Sequence, residues 1–161
     1  MWWIVWGIAL LVVGGLAALS LLSSRPASLG VRDGRLGDCP DTPNCVATRT
    51  PRESQRMATI RFDGDATEAM RRLREVIEAI PRARIVSQDT HYLHAECTSR
   101  LFRFVDDVEF LIDDERKEIH FRSASRAGHS DLGVNRRRME AITSAFQNLA
   151  DRQRVEPNTE R

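Results

Sequence analysis

The chain opens with a run that carries no charged side chain, residues 2–22, and only beyond it do polar and apolar positions begin to alternate or cycle. About 20 apolar residues suffice to cross the hydrocarbon core of a bilayer, so the run predicts a single transmembrane helix over residues 1–22. Trp2, Trp3 and Trp6 lie at one end of it, where amphipathic rings favour the membrane interface. A cleaved signal peptide is the competing reading. It fits less well, because no Lys or Arg precedes the run and the run exceeds the usual apolar core of about 7–15 residues.

Residues 23–56 show no apolar period and hold Pro26, Pro40, Pro43 and Pro51. They predict a polar tether that ends in an ordered loop between Cys39 and Cys45. Residues 57–62 alternate as a short strand. Asp65 and Glu68 then have the spacing of a capping box, opening a helix that Pro81 closes. Its apolar stripe is Ala66, Ala69, Met70, Leu73, Val76, Ile77 and Ile80, with Arg71, Arg72, Arg74 and Glu75 mostly off the stripe.

Residues 83–89, 91–98, 107–113 and 118–124 read as strands, and the apolar run 101–105 is ambiguous. The polar link 114–116 makes the last two an antiparallel hairpin. Setting Ile112 opposite Lys117 places Phe110 against Ile119 and Val108 against Phe121 on one side. The same register sets Glu109 against His120 and Asp107 against Arg122 on the other. A closing helix runs from near Asp131 to about Arg152, with Leu132, Met139, Ile142, Phe146 and Leu149 on its stripe and Asn135 in the middle of it. Residues 153–161 read as a disordered tail. The order predicts an α+β domain over 57–152, an antiparallel sheet of four to five strands with two helices on one face, preceded by the transmembrane helix.

Charge narrows the partners. A formal net charge of +1 argues against nucleic acid, which needs a strongly basic footprint. Lys117 is the only lysine. Of the cysteines, Cys39 and Cys45 bracket a Pro-rich loop whose spacing fits neither a zinc knuckle nor a redox pair. A small disulfide loop in an oxidising compartment is its simplest use; free thiols, or a metal site built with Cys97 and a His, are the alternatives. Topology is contested. Arg25, Arg32 and Arg35 follow the apolar run with nothing basic before it, which by the positive-inside rule keeps the domain cytoplasmic. The cysteine pair favours the opposite side, and the balance leans to a single-pass cell-membrane protein with an exported domain.

Candidate chemistry concentrates in residues 122–138, read as a strand end, a Gly-hinged loop and the first turns of a helix. Unpaired N–H groups at a helix N-terminus attract anions. Arg122, Arg126 and Arg136 would add charge-assisted bonds, and Ser125 and Ser130 neutral ones. Asp131, acting as the cap, would itself occupy the anion position. Asn135 is either a latch to the preceding loop or a ligand contact. The same residues also read as a self-satisfied cap and turn.

Ser123, Ser125 and Ser130 are candidate hydroxyls, and His120 and His129 candidate bases. No nucleophile elbow, phosphate loop or H-E-x-x-H signature accompanies them. No catalytic residue, metal ligand or cofactor is therefore assigned. The leading expectation is a noncatalytic, membrane-anchored envelope module that binds an anionic small molecule or an envelope protein at this corner. A structural or assembly protein without a ligand is the alternative, and a hydrolase a more distant one.

Three motifs carry a resemblance: Cys39-Pro-x-x-Pro-Asn-Cys45-Val46, Phe104-Val-Asp-Asp-Val-Glu-Phe110, and the Arg-Ser-Ala-Ser-Arg run from Arg122 through Ser130-Asp131-Leu132-Gly133 to Asn135-Arg136. In this order the chain resembles the domain-of-unknown-function family numbered 1499, known from bacteria and plastids. That family often has Tyr where this chain has His129, which weakens any proton-transfer role there. The resemblance brings no activity, substrate or cofactor. It implies that Cys39, Cys45, Asp106, Asp107, Arg122, Ser123, Ser125, Arg126, Asp131, Asn135 and Arg136 belong to the defining set of the domain, with Cys39, Cys45, Asp106 and Asp107 in structural roles.

Overall fold

Where side chains alternate between polar and apolar, the chain pairs into one large antiparallel sheet, with a separate two-stranded hairpin beside it. The computed structural model describes residues 2–21 and 25–155. In chain order the elements are α1 (Trp2–Leu21), β1 (Val31–Arg32), β2 (Arg35–Leu36), β3 (Cys45–Ala47), a 3-10 turn at Glu53–Gln55, β4 (Ile60–Arg61), α2 (Ala66–Glu78), β5 (Ala83–Gln88), β6 (Tyr92–Thr98), β7 (Val105–Asp113), β8 (Glu118–Ser125) and α3 (Val134–Val155). The main sheet has six strands in the order β3-β8-β7-β6-β5, and β4 shares the outer edge of β8 with β3. The expected four to five strands fall short because the segment read as a tether supplies β3, paired to β8 with Cys45 opposite Ala124.

α2 forms as the capping box predicts: the Asp65 carboxylate accepts the Glu68 N–H at 2.9 Å, and the helix ends ahead of Pro81. Its stripe packs with α3 on one face of the sheet. There Leu73, Ile77, Leu93, Val108, Phe110, Ile119, Phe121, Met139, Ile142 and Phe146 form a continuous core. Arg72 departs from expectation. It is buried, with its guanidinium 5.2 Å from the Phe146 ring centroid and its Nε donating to Gln153 at 3.1 Å. A long Arg stem covers apolar surface while its head finds partners.

The hairpin register differs by two residues from the expected one. Ile112 pairs with Ile119, Phe110 with Phe121 and Glu109 with Arg122. The turn explains it: the Asp113 carboxylate accepts the Arg116 N–H at 3.0 Å, and Lys117 takes a left-handed φ of 54°. Lys117 therefore belongs to the turn and cannot face Ile112. A shift of two keeps every side chain on its face, so the core was placed correctly while the charged partners changed.

Residues 25–44 are more than a tether. They cross the sheet face opposite the helices as a strap that carries the small β1–β2 hairpin and ends in a Cys39–Cys45 disulfide. Beneath the bridge, Cys39, Cys45, Ala47 and Ala124 form a second small core. Gly37 is required here, because an added Cβ would meet the Ser28 carbonyl oxygen at 2.5 Å.

α3 begins at Val134 and continues to Val155, so residues 153–155 of the expected tail are helical; residues 156–161 lie outside the described residues. Among the described residues no helix is long and apolar enough to cross a membrane. Of the anchor expected over residues 1–22, the fold contains a 20-residue helix with no acidic group in its first turn and no basic group in its last. Leu22 lies outside the described residues.

Candidate functional site

Because side chains alternate along β7, Asp106 and Asp107 diverge. Asp106 turns toward the helices and pairs with Arg138 of α3. Asp107 turns toward the strap, and there it is gripped by the Arg126 guanidinium at 2.6 and 2.8 Å and by His94 Nε2 at 2.8 Å. Arg126 also reaches Glu96 at 2.6 Å, which in turn binds Arg84 at 2.8 Å and Arg25 at 3.0 Å.

Burial alone would raise the Glu96 carboxyl. The bonds from Arg126, Arg84 and Arg25 outweigh it and hold the pKa down at about 2. Asp107 behaves alike: burial opposes ionisation, and the bonds from Arg126 and His94 win, so its pKa is lowered.

A second ion pair lies alongside. Arg122 donates to Glu109 at 3.1 Å, both fully enclosed, and its Nε meets the Asp38 carbonyl at 3.3 Å. The other Glu109 oxygen accepts the Gly30 N–H at 2.7 Å and the Tyr92 hydroxyl at 2.9 Å. Two strap carbonyl or amide groups thus close over a pair of opposite charges. Burial and the neighbouring Glu109 carboxylate push the Tyr92 hydroxyl well above its ordinary range.

Asn135 resolves as a latch. Its Nδ2 donates to the Asn44 carbonyl and to Ser125 Oγ, both at 3.0 Å. Its Oδ1 accepts Ser123 Oγ–H at 2.5 Å and an Arg138 N–H at 2.7 Å. One buried amide thereby ties the Cys loop, β8 and α3 together, which is how a polar group in an apolar stripe is tolerated. Asp131 caps the start of α3, accepting the Gly133 N–H at 3.0 Å and the Asn135 N–H at 2.7 Å. Ser130 Oγ accepts the Leu132 N–H at 3.3 Å. Arg136 is drawn away to the Ser54 carbonyl at 2.8 Å.

The corner residues read from the sequence are all engaged within the protein: Asn135 bonds Asp131 and Ser125 inside the corner, Arg122 and Arg126 bond acids of the sheet, and Arg136 bonds the Ser54 carbonyl. Every buried side-chain nitrogen or oxygen among the described residues has a partner. Glu96, His94, Tyr92, Arg138 and Asn44 also belong to this network and were not singled out. The alternation of β6 put Tyr92, His94 and Glu96 on one face, and Arg138 lies one helical turn from Asn135; those were the available signals.

The candidate hydroxyls gain no base. Ser123, Ser125 and Ser130 each bond to amide, carbonyl or guanidinium groups as given above. His120 does face a hydroxyl, with Nδ1 3.1 Å from Thr48 Oγ1, while Arg49 donates to Nε2 at 3.0 Å. An accepting Nε2 leaves the ring proton on Nδ1, where it is donated to Thr48 rather than withdrawn from it. Burial, then the Arg49 charge, lowers the His120 pKa. Among the described residues, no three His, Cys, Asp or Glu side chains converge as a metal site.

Fold and network together define a two-layer α+β domain closed on its second sheet face by an N-terminal strap, with an internally neutralised charged interior. The chain belongs to the family described as Protein of unknown function (DUF1499), whose profile matches residues 35–146, from β2 into α3. No match is found among curated proteins, and none among solved structures.

Proposed function

We propose that this protein is a membrane-tethered, noncatalytic envelope domain. Its buried charges hold its own fold, and it acts by surface contact rather than by turning over a substrate. The observation that carries this reading is the closure of the 122–136 corner. The Asp131 carboxylate already occupies the helix N-terminus that an anionic ligand would need, and the Arg126 guanidinium is divided between Asp107 and Glu96. An anion could enter only by displacing both.

The tether reading is supported by α1. Its 20 residues carry no charge in their sequence, and a helix of that length measures about 30 Å, the thickness of a bilayer's hydrocarbon core. Placement of the domain on the exported side is supported by the Cys39–Cys45 disulfide, since such bonds persist in oxidising compartments.

Arg126→Ala in the full chain tests the corner. Removing one partner of a buried ion pair costs about 3–5 kcal/mol. The structural reading therefore expects a large fall in melting temperature, with no small molecule lost from the purified protein. An unchanged melting temperature accompanied by loss of a co-purifying anion would overturn it.

A further inference from the structure

The sheet register brings two loops to one end of the molecule. Ala83 lies opposite Cys97, Thr98 opposite Val105 and Asp106 opposite Ser125, so the β6–β7 loop (99–104) and the β8–α3 loop (126–133) emerge side by side. The two most exposed large apolar side chains described in the α+β domain, Leu101 at 77% and Leu132 at 84%, are at their tips.

Both tips are held outward. The Ser99 N–H donates to the Phe104 carbonyl at 2.8 Å, and Ser99 Oγ accepts the Phe104 N–H at 2.9 Å, closing the first loop. The Phe102 and Phe104 rings sit 5.7 Å apart within it. Leu132 adopts a left-handed φ of 53°, uncommon for a bulky residue, and its carbonyl accepts from Arg137 at 3.0 Å.

The charge at this end is basic. Arg82, Arg100 and Arg103 are exposed there, and residues 99–104 contain no Asp or Glu. The opposite end carries Asp89 in the turn after β5, while in the turn after β7 Asp113 and Asp114 pair with Arg116 and Lys117 beside Glu115, so no comparable excess of Arg lies there. The chain also enters here. Arg25 binds Glu96 only four residues after Leu21, the last residue of α1, and four residues span at most about 14 Å.

We propose that this end of the domain is a second membrane contact, with Leu101 and Leu132 dipping between the anionic headgroups of the leaflet from which α1 emerges and Arg82, Arg100 and Arg103 lying over them. The inference rests on the tether reading given above. Separate apolar tips ringed by Arg suit a headgroup layer, where apolar side chains enter shallowly and basic ones meet anionic lipid. A stable protein partner would instead need a broad contiguous face. The domain is then held with its β7–β8 turn directed away from the bilayer.

The test uses the full chain in vesicles, with an environment-sensitive fluorophore on Leu101→Cys, Leu132→Cys or Glu115→Cys. Cys97 is buried, and the three tryptophans all lie in the apolar run, so their fluorescence reports α1 independently. In phosphatidylcholine–phosphatidylglycerol vesicles, headgroup spin labels should quench the probes at 101 and 132 and spare the probe at 115. Phosphatidylcholine alone, or the Arg100→Glu/Arg103→Glu variant, should weaken that quenching severalfold. Tryptophans quenched by lipid while all three probes stay aqueous would sink the loop contact and leave the tether standing. Unquenched tryptophans would sink the tether and this contact with it. Probes at 101 and 132 shielded from aqueous iodide without lipid quenching would assign the surface to a protein instead.

Discussion

Single residues in this domain matter mainly through the charges they bury. Glu96 and Asp107 are carboxylates whose folded pKa values lie below the ordinary 4.5 and 3.8. Such groups stabilise the fold above the unfolded value and lose that contribution as pH falls through the folded one. Stability should therefore decline from about pH 4.5 toward pH 2, the window set by Glu96. His120 adds a milder dependence at higher pH: its folded pKa is depressed below 6.5, so stability begins to fall as the unfolded chain takes up that proton. Urea melts across the acid range check this, and Glu96→Gln should flatten the lower part of the profile. An unaltered profile in that variant would mean the Arg cluster is not coupled to Glu96. The sequence made half of this legible. It marked Arg122, Arg126 and Asp107 as functional or structural, but the expected Asp107–Arg122 pair gave way to Arg122 with Glu109 and Asp107 with Arg126 through the two-residue register difference, which only the Asp113 turn decides.

At the level of elements, the legible parts are those with a local period. α2, β6, β7 and β8 form close to their expected bounds, since hydrophobic spacing and capping are written in neighbouring residues. The strap has no such period. Its structure comes from bonds to residues 71 to 91 positions away, as with Arg25 to Glu96 and Asn44 to Asn135, so its sequence reads as loop. Its fit is nonetheless tight at one point. Gly37→Ala should force the Ser28 carbonyl aside and cost about 1–3 kcal/mol, the usual range for overpacking. The measurement is a denaturation midpoint, accompanied by faster hydrogen exchange at the Gly30 amide that Glu109 binds. A variant as stable as the parent, with that amide still protected, would show that the strap does not need the close approach.

For the molecule as a whole, the question is which side of the membrane holds the disulfide. In intact cells, a membrane-impermeant maleimide should label Cys39 and Cys45 only after reduction if the domain is exported. Labelling without reductant, and only after lysis, would place it in the cytoplasm and remove the oxidising compartment from the account. The two-layer α+β class was readable from element order, whereas the sixth strand and the covered second face were not, because both depend on the strap. That strap also has a consequence for the order of assembly. It is made before the sheet it covers, and Glu109, Arg122 and Asn135, which hold Gly30, Asp38 and Asn44, follow by 79, 84 and 91 residues. While the chain is being synthesised, the cysteine loop can close locally, but the strap has nothing to dock on until β8 and the start of α3 have emerged. Folding is therefore completed from the C-terminal half backward, and a chain truncated before Glu109 should leave the strap unfastened, a ready substrate for quality-control proteases.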